Sequence, residues 1–127
     1  EFYDTAFNEE EKGRIALTKV ENADNPRYGT EGGEDTEDRI FLLSLEEADR
    51  YFEDDEDRRA FPTEYAIAKH AYMNSDLGTV WWWLRSPGDY RVNAAGVFAD
   101  GSLRLTGGSV SFDRDAVRPA LRLKITP

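Results

Sequence analysis

Trp81-Trp82-Trp83-Leu84-Arg85-Ser86-Pro87-Gly88 carries every tryptophan of the chain. Read as an extended strand, it sends Trp81 and Trp83 to one face and Trp82 and Leu84 to the other. Both faces are then apolar, as expected of a central strand covered on both sides. Each indole can bury roughly 150–250 Å², about 4–6 kcal/mol gross at ~25 cal/mol per Å². Pro87 lacks a ladder N–H and Gly88 suits a turn, so the strand stops there. This stretch reads first as a folding core with Trp82 and Trp83 as structural residues. Trp81, at its start, is the indole placed to reach a ligand surface.

Outward from this strand, the remainder of the chain reads as β. Asp100-Gly101 lies between two apolar runs and predicts a hairpin with a type I′ turn. Gly107-Gly108 predicts a second turn, into Val110-Ser111-Phe112. A last strand has Val117, Leu121, Leu123 and Ile125 on one face, interrupted at Pro119. Upstream, Asn8 with Glu11 and Ser44 with Glu47 are capping boxes that open helices. Leu45, Ala48, Tyr51 and Phe52 share one face of the second of these helices. Thr63 caps another helix that runs toward Asn74. Ile15 and Leu17 share one face of an early strand, and Ile40-Phe41-Leu42-Leu43 is a short buried one. Between these two strands, residues 21–38 form a long polar loop. Helices followed by a strand meander make an α+β domain, its helices packed around a twisted, mainly antiparallel sheet.

The 127 residues suit one domain, 1–127. The opening at Glu1-Phe2-Tyr3, without an initiator Met, reads as a domain cut from a longer protein. The 26 acidic residues against 16 basic ones give a net charge of −10. Such a surface repels phosphate backbones and anionic lipid, which argues against a nucleic-acid partner. No apolar window is long enough to span a bilayer, so no membrane insertion is expected. The absence of cysteine removes disulfides, thiolate nucleophiles and Cys-ligated metals. No metal or other cofactor is expected. Acids in 31–38, or Asp113 with Asp115, could gather oxygens for calcium, but the EF-hand pattern is absent. His70, the one histidine, has no evident orienting partner or nucleophile and reads as structural. The acids of 53–57 read as a solvated helix end.

Two motifs stand about thirty residues apart: Trp82-Trp83-Leu84-Arg85-Ser86-Pro87-Gly88 and Val117-Arg118-Pro119-Ala120-Leu121. With residues 6–12 and 38–48, they resemble a domain family of unknown function common in gut Firmicutes. Its members are typically modules of larger, often surface-associated proteins. The order of a Trp-Leu-Arg strand, a Gly-rich hairpin and a closing Val-Arg-Pro strand is also similar to the C-type-lectin-like fold, in its formylglycine-generating-enzyme branch. That enzyme branch needs active-site cysteines, and the calcium-dependent lectins need Glu-Pro-Asn or Gln-Pro-Asp with Trp-Asn-Asp. This sequence has none of these. The resemblance therefore implies a non-catalytic binding module, extracellular or at the cell surface, whose ligand is a glycan or a protein. A spacer without ligand and an enzyme on the formylglycine-generating-enzyme-like fold are the competing classes.

The residues read as ligand-binding are Trp81, Asp89, Tyr90, Arg91, Asn93, Asp113 and Arg114. They combine planar rings, both charges and an amide, a mix that suits sugars or peptides. Arg85 and Arg118 are read as structural, each held by carboxylate or carbonyl partners. For Arg118 the expected acids are Asp38 or Glu47.

Overall fold

The computed structural model describes residues 1–125. Helices α1 (Phe2–Ala6) and α2 (Glu9–Arg14) lead into β1 (Thr18–Val20), which pairs antiparallel with β2 (Thr36–Asp38). Three short helices follow, α3 (Leu45–Tyr51), α4 (Asp55–Arg58) and α5 (Glu64–Ala68). Then β3 (Trp82–Pro87), β4 (Asn93–Val97) and β5 (Leu103–Ser109) form an antiparallel meander in that order. The domain is α+β.

The caps act as the sequence indicates. Asn8 accepts from the Glu11 N–H at 2.8 Å while the Glu11 carboxylate takes the Asn8 N–H at 2.8 Å. Ser44 and Glu47 repeat the pattern at the head of α3. These boxes satisfy helix N–H groups that would otherwise have no partner.

The core lies where α3 packs on the meander. Leu45, Ala48, Trp82, Leu84, Ala95 and Val97 form it, with Phe52, Leu103, Leu105 and Ala116 around its margin. Burial alternates along β3, so that Trp82, Leu84 and Ser86 face inward. Trp82 is 0 % exposed, and its indole N–H donates to the Arg58 carbonyl at 3.0 Å. Arg58 is itself buried: it donates to the Gly101 carbonyl at 2.8 Å and pairs with Asp55. Trp81 and Trp83 point to the outer face and are half-buried. On its free edge β3 is covered by chain rather than by a full strand. Ala116 exchanges bonds with Trp81 and Trp83, and Arg85 donates its N–H to the Leu43 carbonyl.

Several expected elements take another form. The closing strand is replaced by an extended segment with isolated bridges to three partners: Ala116 to Trp82, Ala120 to Phe41, Leu123 to Ile15. No single edge is long enough to zip with it, and Ile125 is left 96 % exposed. The strand expected at 40–43 is likewise only the Phe41 bridge. Ile15 is buried in an isolated bridge to Leu123 but Leu17 is 53 % exposed, and the paired strand β1 begins only at Thr18.

The Asp100-Gly101 hairpin is present, but its loop has three residues, 99–101. Gly101 alone takes positive φ, 91°, and its N–H returns to the Phe98 carbonyl, the pattern of a type I turn with a bulge glycine. Tertiary contact explains this choice, because a Cβ on Gly101 would lie 1.6 Å from the Asp55 carbonyl oxygen. Gly107-Gly108 makes no turn. The pair lies inside β5, at a bulge where the register against β4 slips.

Tyr51 projects from α3 into solvent. The acids 53–57 are exposed, as expected, but Asp54 N-caps a separate helix, α4. Helix α5 stops early. Its end carries a Schellman motif, in which Ala71 donates to the Ala66 carbonyl and His70 to that of Ile67. His70 occupies the left-handed position at φ 65°, a place usually given to glycine.

Candidate functional site

A cleft of about 750 Å³ opens beside the core, between α3, β5 and the first part of the long loop. Leu45, Leu103 and Leu105 give it apolar lining, with Ala23 and Pro26 from the loop. Charges of both signs share the lining. Glu21, Asp24, Glu46, Glu47 and Asp49 supply carboxylates, and Lys19, Arg50, Arg85 and Arg122 supply cations. A mixed apolar and polar lining of this size is what small-ligand and segment-binding sites share.

Arg85 organises one wall. It leaves β3 on the half-buried face and pairs with Glu47 of α3. The same guanidinium donates to the Leu42 carbonyl at 2.8 Å and twice to the Glu21 carbonyl, at 3.0 and 3.2 Å. Sheet, helix and loop are thereby joined through one side chain, whose five donors in a fixed fork make this possible. Burial alone would push Glu47 up. The Ser44 N–H and Arg85 overcome that and hold its carboxyl below the ordinary range. Arg122 approaches the second Glu47 oxygen at 3.7 Å. Glu47 is thus held as an ionised carboxylate, its bonds concentrated on Oε1. Ser86, beside Arg85, accepts the Leu45 N–H through its hydroxyl at 2.9 Å, fixing the start of α3 to β3.

Asn25 holds the opposite wall. It is buried, its amide donating to the Pro87 and Leu105 carbonyls at 2.8 and 2.9 Å. Its side-chain oxygen accepts from the Arg27 and Tyr28 N–H groups. The polar loop is therefore pinned to the end of β3 and to β5 at Leu105, and Ala23, Asp24 and Pro26 are set along the cleft.

The residues read from sequence as one ligand site do not converge. Trp81 stands just before β3, whereas Asp89–Asn93 lie past its far end, about 20 Å away at ~3.3 Å per extended residue. Asp89 and Asn93 hydrogen-bond each other at 2.7 Å across the β3–β4 turn, and Tyr90 and Arg91 are exposed beside them. Arg114 belongs with Trp81 instead. Its carbonyl accepts the Tyr72 N–H at 2.8 Å, its Nε donates to the His70 carbonyl, and the Tyr72 ring lies 5.2 Å from Trp81. Asp113 precedes it and is exposed.

Arg85 has the carbonyl and carboxylate partners expected of it. Arg118 has a carbonyl partner but not the acid: neither Asp38 nor Glu47 pairs with it, and Glu47 is taken by Arg85. Its guanidinium lies over the Trp82 and Phe52 rings at 4.9 and 5.2 Å, with a long bond to the Arg58 carbonyl at 3.5 Å. Burial lowers its pKa. Of the cleft's lining, the sequence singles out Ser44, Leu45, Glu47, Arg85 and Ser86 for structural reasons, and none as part of a ligand site. Only the Ser44–Glu47 box pointed to a well-fixed acid.

Among the described residues, no three His, Cys, Asp or Glu side chains come together to hold a metal ion, and no helix is long and apolar enough to cross a membrane. Searches of curated proteins and of solved structures find no match. One family model does match, over residues 1–125, and the chain therefore belongs to the family described as Domain of unknown function (DUF6273).

Proposed function

We propose that this domain is a non-catalytic binding module of a bacterial surface or secreted protein, and that its cleft takes a segment of a glycan or of another protein. The observation that carries this is the state of Glu47. One oxygen of the cleft's central acid, Oε1, takes both the Ser44 N–H and Arg85, and the carboxyl is held below its ordinary range, which suits it to building a wall rather than moving a proton. The rim is different: Glu46, Asp49 and Arg50 are exposed and offer both charges to a polar ligand.

A C-type-lectin-like fold is part of the proposal. The order of elements supports it, with a Trp-Leu-Arg strand, a glycine-bearing hairpin and a Val-Arg-Pro segment returning beside the first strand at Ala116. The surface setting rests on the resemblance of the sequence motifs. An enzyme is the second reading, and the five carboxylates around one cleft are what favour it.

Glycan and peptide arrays probed with the domain test the proposal. The expected result is a defined set of bound probes, lost in Arg50→Glu and Asp49→Lys while both variants melt like the parent. Absence of any bound probe would leave a spacer. Turnover of a bound probe, abolished in Glu47→Gln, would establish the enzyme.

A further inference from the structure

Around Trp81, just before β3, a second group of side chains is assembled, none of which lines the cleft. Tyr72 and Trp81 meet with ring centroids 5.2 Å apart and planes at 47°, and Phe98 stands edge-on to Trp81 at 6.0 Å. The Arg104 guanidinium lies over both the Trp81 and the Phe98 ring, at 5.7 and 5.4 Å. Among the described residues no carboxylate pairs with it. Asp115 lies in the chain between two residues anchored to this group: the Arg114 carbonyl holds the Tyr72 N–H, and the Ala116 N–H donates to the Trp81 carbonyl at 2.7 Å. Its Oδ1 is buried and has no hydrogen-bond partner.

A buried carboxylate oxygen without a donor is costly and rare in a folded chain. Here the cost stands next to an aromatic wall and a guanidinium with donors to spare. Arg104 is near enough for its charge to oppose the rise that burial imposes on the Asp115 carboxyl, yet no ion pair closes between them. A group that donates to Asp115 and accepts from Arg104 would satisfy both side chains. A hydroxyl does both. One carboxylate and one guanidinium leave no net charge for a ligand to match, and exposed Tyr72 offers a ring face for C–H stacking.

We infer that Tyr72, Trp81, Phe98, Arg104 and Asp115 form a saccharide subsite for a neutral pyranose, its hydroxyls bridging Arg104 and Asp115 and its apolar face on Tyr72. This subsite does not depend on the cleft being occupied.

The test is a titration of the domain with cellohexaose, xylohexaose, mannohexaose and chitohexaose, and with hexalysine as a charged control, followed by amide and indole N–H resonances. At least one hexaose is expected to move the Trp81 indole signal together with the Asp115 and Ala116 amides. Asp115→Asn, a near-isosteric change that preserves the fold, and Arg104→Ala should each weaken that binding about tenfold or more. Tyr72→Ala should weaken it similarly. The inference is overturned if none of the four hexaoses moves the Trp81 indole, or if Asp115→Asn and Arg104→Ala bind as the parent does. Binding of hexalysine alone would also overturn it, since Asp115 would then be acting as a bare charge. Shifts confined to residues 44–50 would place the sugar in the cleft, which overturns this subsite and leaves the proposed function standing.

Discussion

Replacing Arg85 by methionine should destabilise the domain more than any other surface-reaching substitution. Arg85 and Glu47 side chains are only 13 and 9 % exposed, so the pair is largely dry. Methionine keeps the aliphatic stem but strands Glu47, whose remaining cation is Arg122 at 3.7 Å. It also removes the donors to the Leu42 and Glu21 carbonyls. Removing one partner of a buried pair costs about 3–5 kcal/mol, because the other charge is left uncompensated. A domain of this size holds about 5–15 kcal/mol in total, so roughly a fifth or more of the stability is at stake. Urea melts of the parent, Arg85→Met, Glu47→Gln and the double variant close a cycle. Gln preserves the capping box, so the cycle isolates the ion pair, with an expected coupling of about 1.5–3 kcal/mol.

The pH dependence has a definite sign. A carboxyl held below its unfolded value contributes stability above that value, about 4.3, and the contribution is lost as pH falls through the folded-state pKa. The gap between parent and Arg85→Met should therefore be widest near pH 7 and shrink below about pH 4. A melt of Arg85→Met within about 0.5 kcal/mol of the parent at pH 7 would refute the reasoning.

Arg118→Met should cost only about 1–2 kcal/mol in the same melts, since its partners are the Trp82 and Phe52 rings and no carboxylate is orphaned. A loss as large as that of Arg85→Met would show a hidden acid partner. His70→Gly should stabilise by about 0.5–1 kcal/mol, because a left-handed conformation strains any residue with a Cβ; calorimetry reads this as a modest rise in Tm. Gly101→Ala combines positive φ with a Cβ 1.6 Å from the Asp55 carbonyl oxygen, and should cost about 3 kcal/mol or more or prevent folding, as far-UV circular dichroism would show. Asp115→Asn should leave the unliganded domain as stable as the parent or slightly more so at pH 7. Burial raises the pKa of Asp115, so its contribution is present at low pH and lost as pH rises through the folded value.

Features set by neighbours in sequence were legible. The Asn8–Glu11 and Ser44–Glu47 boxes need four residues each, and the alternation Trp82, Leu84, Ser86 needs only the strand period. The turn at Asp100-Gly101 was legible in place but not in kind, because Asp55, distant in sequence, decides which residue must lack a Cβ. The segment 116–125 alternates like a strand, yet alternation carries no information about whether an edge exists to receive it. Arg118 illustrates the same limit: its chemistry allows an acid or an aromatic partner, and the fold had already given Glu47 to Arg85. The cleft was hidden because its lining comes from Asp24, Asp49, Leu105 and Arg122, which only the tertiary fold brings together.

The most direct test of a binding cleft is an amide-resonance titration of the domain with the strongest probe from the glycan and peptide arrays. A ligand seated in the cleft should perturb residues 21–26 and 44–50 together with Arg85 and Arg122, and Arg50→Glu should abolish the shifts without altering the melt. Perturbations that spare both walls, or a bound probe indifferent to Arg50→Glu, would contradict the cleft as the site of function.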